Sequence, residues 1–152
     1  MAAGAIGGST AKTFMSARSF FDTNVLVYTD DADAPAKSDR ALALWKQHRI
    51  QGLVVISIQV LQEYFWAATR RLNVEPGIAT EKLMLFARAQ VVSPLADDVV
   101  AAARLALEHR LSFWDAMIVQ MAIAADCTIL FSEDMQAGRR FAGLEIVNPF
   151  AS

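Results

Sequence analysis

The chain has 152 residues, 55% of them apolar, with 14 Lys and Arg against 16 Asp and Glu, a formal charge of −2. That length suits one domain able to bury roughly two thirds of its unfolded surface without staples, and so even a charge balance does not advertise the basic face of an ordinary polyanion binder, so a nucleic-acid reading must rest on local basic clusters. A single cysteine, Cys127, excludes an internal disulfide, and two histidines, His48 and His109, offer no spacing for a zinc site or a histidine-based triad.

Residues 1–17 are rich in Gly, Ala, Ser and Thr and lack the apolar stretch of a secretory signal; they read as a disordered tail or added leader before a domain over 18–152. Phe20 and Phe21 then run into Asp22, Thr23 and Asn24 and a second apolar run, Val25 to Tyr28. This is the pattern of a buried strand that delivers a carboxylate to its C-terminal end, the end where open α/β sheets place their chemistry. One or two helical turns are expected between Asn24 and Asp30, followed by an acidic loop to Pro35. Apolar positions Ala41, Leu42, Leu44, Trp45 and Ile50 recur at helical spacing through Ala36 to Gln51, and Gly52 ends that helix. Leu53 to Ile56 is apolar without alternation, as in a strand covered on both faces. Ser57 is placed to cap a helix from Gln59 to Leu72.

A further helix spans Ile78 to Gln90, with a short strand at Val91 and Val92 and an Ala-rich helix from Ala96 to Arg110. Ser112 starts the next helix, which ends near Ala125. Thr128 to Phe131 is a second buried strand, Ser132 to Asp134 opens a short helix toward Gly138, and Leu144 to Val147 is the last strand. Strands alternating with helices predict an α/β fold, a three-layer α/β/α sandwich with a mainly parallel, roughly five-stranded sheet. No apolar run approaches the roughly 18–20 residues of a membrane span, so the apolar excess points to a buried sheet and to a subunit interface.

Four acids stand in suggestive places. Asp22 follows a strand, though a helix cap would explain it alone; Thr23 and Asn24 beside it are able to hydrogen-bond a carboxylate or a metal-bound water. Glu63 lies on the flank of its helix's apolar arc, near Gln59, Trp66 and Arg70, where periodicity by itself describes a solvated glutamate. Asp115 completes a capping box with Ser112, and a helix start on that sheet edge also faces the site. Asp134 follows a strand expected beside the first. Four converging carboxylates imply a hard divalent cation.

The order Phe-Asp-Thr-Asn-Val-Leu-Val-Tyr at 21–28, Ser-Ile-Gln-Val-Leu-Gln-Glu-Tyr at 57–64, Trp-Asp-Ala-Met-Ile at 114–118 and Ser-Glu-Asp-Met-Gln at 132–136 resembles the PIN-domain family, and more narrowly the VapC-type toxins of bacterial toxin–antitoxin pairs. The similarity covers about Phe20 to Phe150. It implies a site binding Mg²⁺ or Mn²⁺, with the family's carboxylates falling on Asp22, Glu63, Asp115 and Asp134 and its small hydroxyl residue on Ser132. Asp22 and Asp115 are the expected direct ligands, with Glu63 and Asp134 acting through water or a second ion.

The resemblance further implies an endoribonuclease restrained by a small antitoxin; the lone cysteine makes the cytoplasm the default setting, and the apolar excess points to an oligomer, expected as a homodimer. A non-toxin RNA-processing nuclease and an inert partner-binding domain are the alternatives; a phosphatase of another doubly wound fold is disfavoured, because no second Asp lies two residues after Asp22. Arg70, Arg71, Arg139 and Arg140, and Lys37 with Arg40, are candidates for contacting phosphates, although helix-end cations serve stability equally well. Trp114 and Phe113 are candidates for stacking on RNA bases.

Overall fold

The computed structural model describes residues 17–151, so the expected tail lies, except for Ala17, outside the described residues. Six strands and six helices follow in order: β1 (Arg18–Phe21), α1 (Thr23–Tyr28), α2 (Pro35–Ile50), β2 (Val54–Ser57), α3 (Ile58–Arg70), α4 (Pro76–Phe86), β3 (Gln90–Val92), α5 (Ala96–His109), α6 (Phe113–Ala124), β4 (Cys127–Phe131), β5 (Arg140–Phe141) and β6 (Leu144–Val147). The strands form one sheet in the order β3-β2-β1-β4-β6-β5. Every pairing is parallel except β5 with β6. From β1 the chain first builds outward to β2 and β3, then crosses back to add β4 on the other side. Right-handed crossovers that reverse direction put α5 and α6 on the face opposite α1 to α4, which gives the three layers. None of the described helices is long and apolar enough to cross a membrane.

The unbroken apolar runs are explained by burial on both faces: Phe20, Phe21, Val55, Ile56, Leu130 and Ile146 are all at or below 1% exposed. Leu26, Val60 and Tyr64 close the core from the helical layer. Three expectations need correction. The sheet has six strands rather than five, and the short helix after Ser132 is absent. Both changes have one cause: Gly138 N–H donates to Ile146 O at 2.8 Å and Ile146 N–H to Arg139 O at 2.9 Å, so the segment is drawn into a hairpin with β6. Gly138 takes φ +84° there, a conformation that suits glycine. Ile50, expected on the buried stripe of α2, is instead 87% exposed at the helix end.

A polar tie holds α4 onto the layer that carries the site. Lys82 Nζ donates to Thr29 Oγ1 at 2.7 Å and to Asp30 Oδ1 at 2.6 Å, while Tyr64 OH donates to Asp30 Oδ2 at 2.5 Å. Removing one partner of a mostly buried ion pair leaves an uncompensated charge. Lys82→Met is therefore expected to lower unfolding stability by about 2–4 kcal/mol in denaturant titrations, and Lys82→Met with Asp30→Asn to recover part of the loss.

Candidate functional site

The strand order reverses between β1 and β4, where an open sheet leaves a crevice at the carboxyl ends of its strands. Phe21 and Phe131 are register partners across that seam, and Asp22 N–H donates to Phe131 O at 2.9 Å, stitching the two strand ends together. The next side chains on either side are therefore those of Asp22 and Ser132.

Asp22 is only 7% exposed. Its Oδ1 accepts from Thr23 N–H at 2.7 Å, and its Oδ2 accepts from Ser132 Oγ at 2.7 Å and from Asn24 Nδ2 at 3.2 Å. Asn24 is the bridge of the site, since Nδ2 also reaches Asp134 Oδ2 at 3.2 Å while Oδ1 accepts from Glu133 N–H at 3.2 Å. Glu63 is exposed, as its flank position predicts, yet its Oε1 accepts from Thr23 Oγ1 at 3.0 Å and from Gln59 Nε2 at 3.1 Å. Asp115 occupies the first turn of α6, where Ser112 Oγ accepts from its N–H at 3.1 Å, one half of the expected capping box. All four acids line one cleft of about 670 Å³.

Electrostatics follow from this crowding. Burial pushes the Asp22 carboxyl from 3.8 up to about 7; hydrogen bonds from Ser132 and Thr23 oppose the rise, and the charges of Asp115 and Asp134 add to it. Asp115 is also raised, first by burial and then by Asp134. Among the described residues, no Lys, Arg or His forms an ion pair with any of the four acids. Burial alone would raise the neighbouring Glu133, but hydrogen bonds from Lys37 (2.6 Å) and Tyr28 (2.5 Å) outweigh it and hold that carboxyl below its ordinary range.

The candidate cations separate. Arg71 lines the cleft, whereas Arg70 lines a neighbouring apolar groove between α3 and α4. Arg139 and Arg140 do not line the cleft: Arg139 donates to His109 O at 2.8 Å and lies over the Phe141 ring, and Arg140 pairs with Glu145 at 2.8 Å across the β5–β6 hairpin. Lys37 is committed to Glu133, and Arg40 donates to Pro149 O at 3.1 Å. Phe113 packs partly buried against Ala102, Ala116 and Met117, while Trp114 is 62% exposed on the cleft wall. Sequence reasoning passed over Gln59, Gln62, Trp66 and Glu133 as parts of this cleft. Gln59 and Trp66 share Glu63's helical flank, so placing that glutamate also places them.

Because the folded-state value of Asp22 lies above 3.8, the folded protein holds more protons than the unfolded chain between roughly pH 4 and pH 7. Without divalent cations its stability therefore falls as pH rises through that window, and the full cost, a few kcal/mol at about 1.4 kcal/mol per pKa unit, stands above about pH 7. Asp22→Asn is expected to raise Tm at about pH 8 and to leave it nearly unchanged at about pH 4 in thermal melts with EDTA. An equal gain at both pH values would show that burial of the charge is not the cause.

Comparison with known proteins accords with this architecture. The sequence model of the PIN domain family matches residues 19–142, and no curated protein matches the chain. In structure the chain is similar to the Mycobacterium tuberculosis protein VapC20, described as a sarcin–ricin loop cleaving toxin, at 21% identity and TM-score 0.64 over 76% of this chain and 89% of that one. It is also similar to the Pyrobaculum aerophilum protein PAE2754, at 22% identity and TM-score 0.55 over 79% of this chain and 82% of that one. A family match over this span, on a sheet whose order and carboxyl-edge acids have just been described, places the chain in the PIN domain family.

Proposed function

We propose that the chain is a metal-dependent endoribonuclease that hydrolyses RNA phosphodiester bonds as the toxin of a toxin–antitoxin pair. One observation carries the reading: a buried carboxyl, Asp22, is gathered with Glu63, Asp115 and Asp134 in a cleft where none of the four has a cationic partner among the described residues. Such an arrangement costs stability when ionised, a cost that a bound cation would offset. Membership of the PIN domain family and the fold shared with a toxin described as cleaving the sarcin–ricin loop support the same reading.

The donor set suits Mg²⁺ or Mn²⁺, being made of oxygens from carboxylates and hydroxyls. Among the described residues no three His, Cys, Asp or Glu side chains form a ready cage. A hard cation that keeps most of its waters needs only one or two protein carboxylates, and Asp22 and Asp115 would be the pair to hold it. When bound, it supplies Lewis acidity to the phosphodiester and to water. The protein's own part is orientation and proton handling. Ser132, Asn24 and the Thr23 amide fix the Asp22 carboxylate in one pose. Both bonds to Glu63 fall on Oε1 and the Asn24 bond to Asp134 falls on Oδ2, so one oxygen of each acid remains to hold water or take its proton.

For its setting we propose a cytoplasmic homodimer inhibited by a small antitoxin. The exposed Leu95, Val99, Val100 and Leu107, on and just before α5, offer an apolar face for a subunit contact.

Purified protein is expected to cut a mixed RNA pool with Mg²⁺ or Mn²⁺ and to stop in EDTA. Asp22→Asn and Asp115→Asn should each lose about 100-fold or more in rate, and Ser132→Ala about 10- to 100-fold, as for a residue that orients a ligand. Folded protein that stays inert with both metals would sink the nuclease reading.

A further inference from the structure

The cleft presents a difficulty for any polyanion. Among the described residues six acids line it (Asp22, Asp31, Glu63, Asp115, Glu133 and Asp134), and the one Lys or Arg that does so is Arg71. Phosphate neutralisation, the usual source of nucleic-acid affinity, is thus nearly unavailable from the described residues of this cleft. Beyond a cation held at the acids, something other than charge must hold the strand.

Two side chains are suited to that task. Trp66 on α3 is 60% exposed and Trp114 on α6 is 62% exposed, and both line the cleft. A single exposed apolar residue calls for no explanation, but two indoles on the walls of the cleft that holds the acids do. Trp66 also borders the apolar groove between α3 and α4, whereas Trp114 does not, so the cleft is what the pair has in common. Gln59 joins the two walls, its Nε2 donating both to Glu63 Oε1 at 3.1 Å and to the backbone carbonyl of Trp114 at 3.3 Å. Along α3, Trp66 follows Glu63 by about 4.5 Å of helix rise and precedes Arg71 by about 7.5 Å, between the acids and the cation.

We propose that Trp66 and Trp114 are substrate-binding residues that stack on unpaired bases flanking the cut, so that the cleft takes a single-stranded stretch of RNA by its bases, with Arg71 on the backbone. This rests on the ribonuclease reading and adds to it the two side chains of this chain that would hold the strand. Bases must be unstacked from their neighbours to meet an indole face, which a continuous duplex does not allow.

The test uses the full chain carrying Asp22→Asn, so that binding is read without cutting, and a labelled oligoribonucleotide of about ten nucleotides, alone or annealed to its complement. The single strand should quench tryptophan fluorescence and bind with a shallow salt dependence, a log–log slope of about −0.7 to −1.4 for one or two phosphate contacts. Adding Trp66→Ala or Trp114→Ala should each weaken binding about five- to 150-fold, while the Phe variants keep most of it. Tm should not move, because both indoles are exposed. The annealed duplex should bind poorly.

Alanine variants that bind and, with Asp22 restored, cleave like the parent would overturn the stacking proposal and leave the ribonuclease intact. A changed sedimentation behaviour with unchanged RNA binding would overturn it equally, by assigning the indoles to a protein contact. Parent protein that neither binds nor cuts RNA would overturn both.

Discussion

The structure depends on one costly placement, a carboxyl group buried at the seam where the order of a parallel sheet reverses. Asp22 belongs to no apolar core and makes no ion pair among the described residues, yet it is 7% exposed between the ends of β1 and β4. Hydrogen bonds from Ser132, Asn24 and Thr23 satisfy its oxygens without neutralising it. A group held in this way favours its proton until something positive arrives, and burial accordingly raises its pKa to about 7. Much of the surrounding architecture serves to bring further acids near that point rather than to relieve it.

Separate elements deliver those acids, and polar side chains tie the elements together. Asn24 joins the start of α1 to the loop after β4, Thr23 reaches across to Glu63 on α3, and Gln59 links α3 to the first turn of α6. The Asp30–Lys82–Tyr64 tie sits behind this layer and fixes α4. Rigid strands carry the first acid and Ser132, which suits a constellation that must hold its geometry, while the exposed Glu63 and Asp134 keep access to water. The even charge balance of the chain also takes on meaning. Arg139, Arg140, Lys37 and Arg40 are occupied in holding the hairpin, the loop after β4 and the C-terminal segment, which leaves the cleft acidic.

The sequence made the layers and the first acid of the candidate cleft legible because both depend on burial. Runs such as Phe20–Phe21 and Leu53–Ile56 are apolar on both faces, and an acid directly after such a run has few places to go. Asp134 was readable for the same reason, through β4. The β5–β6 hairpin was not, because Arg140 and Phe141 are too short a stretch to show a period and their pairing is decided by Gly138 and by β6. Glu63 was the least legible of the acids: its exposure fits a solvated glutamate, and only its hydrogen bonds with Thr23 and Gln59 show it turned to the site. Which arginines face the cleft could not be read from charge at all, since Arg70 and Arg71 are neighbours in sequence yet border different clefts.

The most direct test of the account is calorimetric titration of Mn²⁺ into the metal-free protein at about pH 6.5, in two buffers of different ionisation enthalpy. A cation held by Asp22 and Asp115 should displace the proton that burial keeps on the site, giving proton release that fades above about pH 8 and a marked loss of affinity in Asp22→Asn. Absence of binding, or binding that releases no proton and is indifferent to Asp22→Asn, would contradict the claim that this cleft is built around a cation.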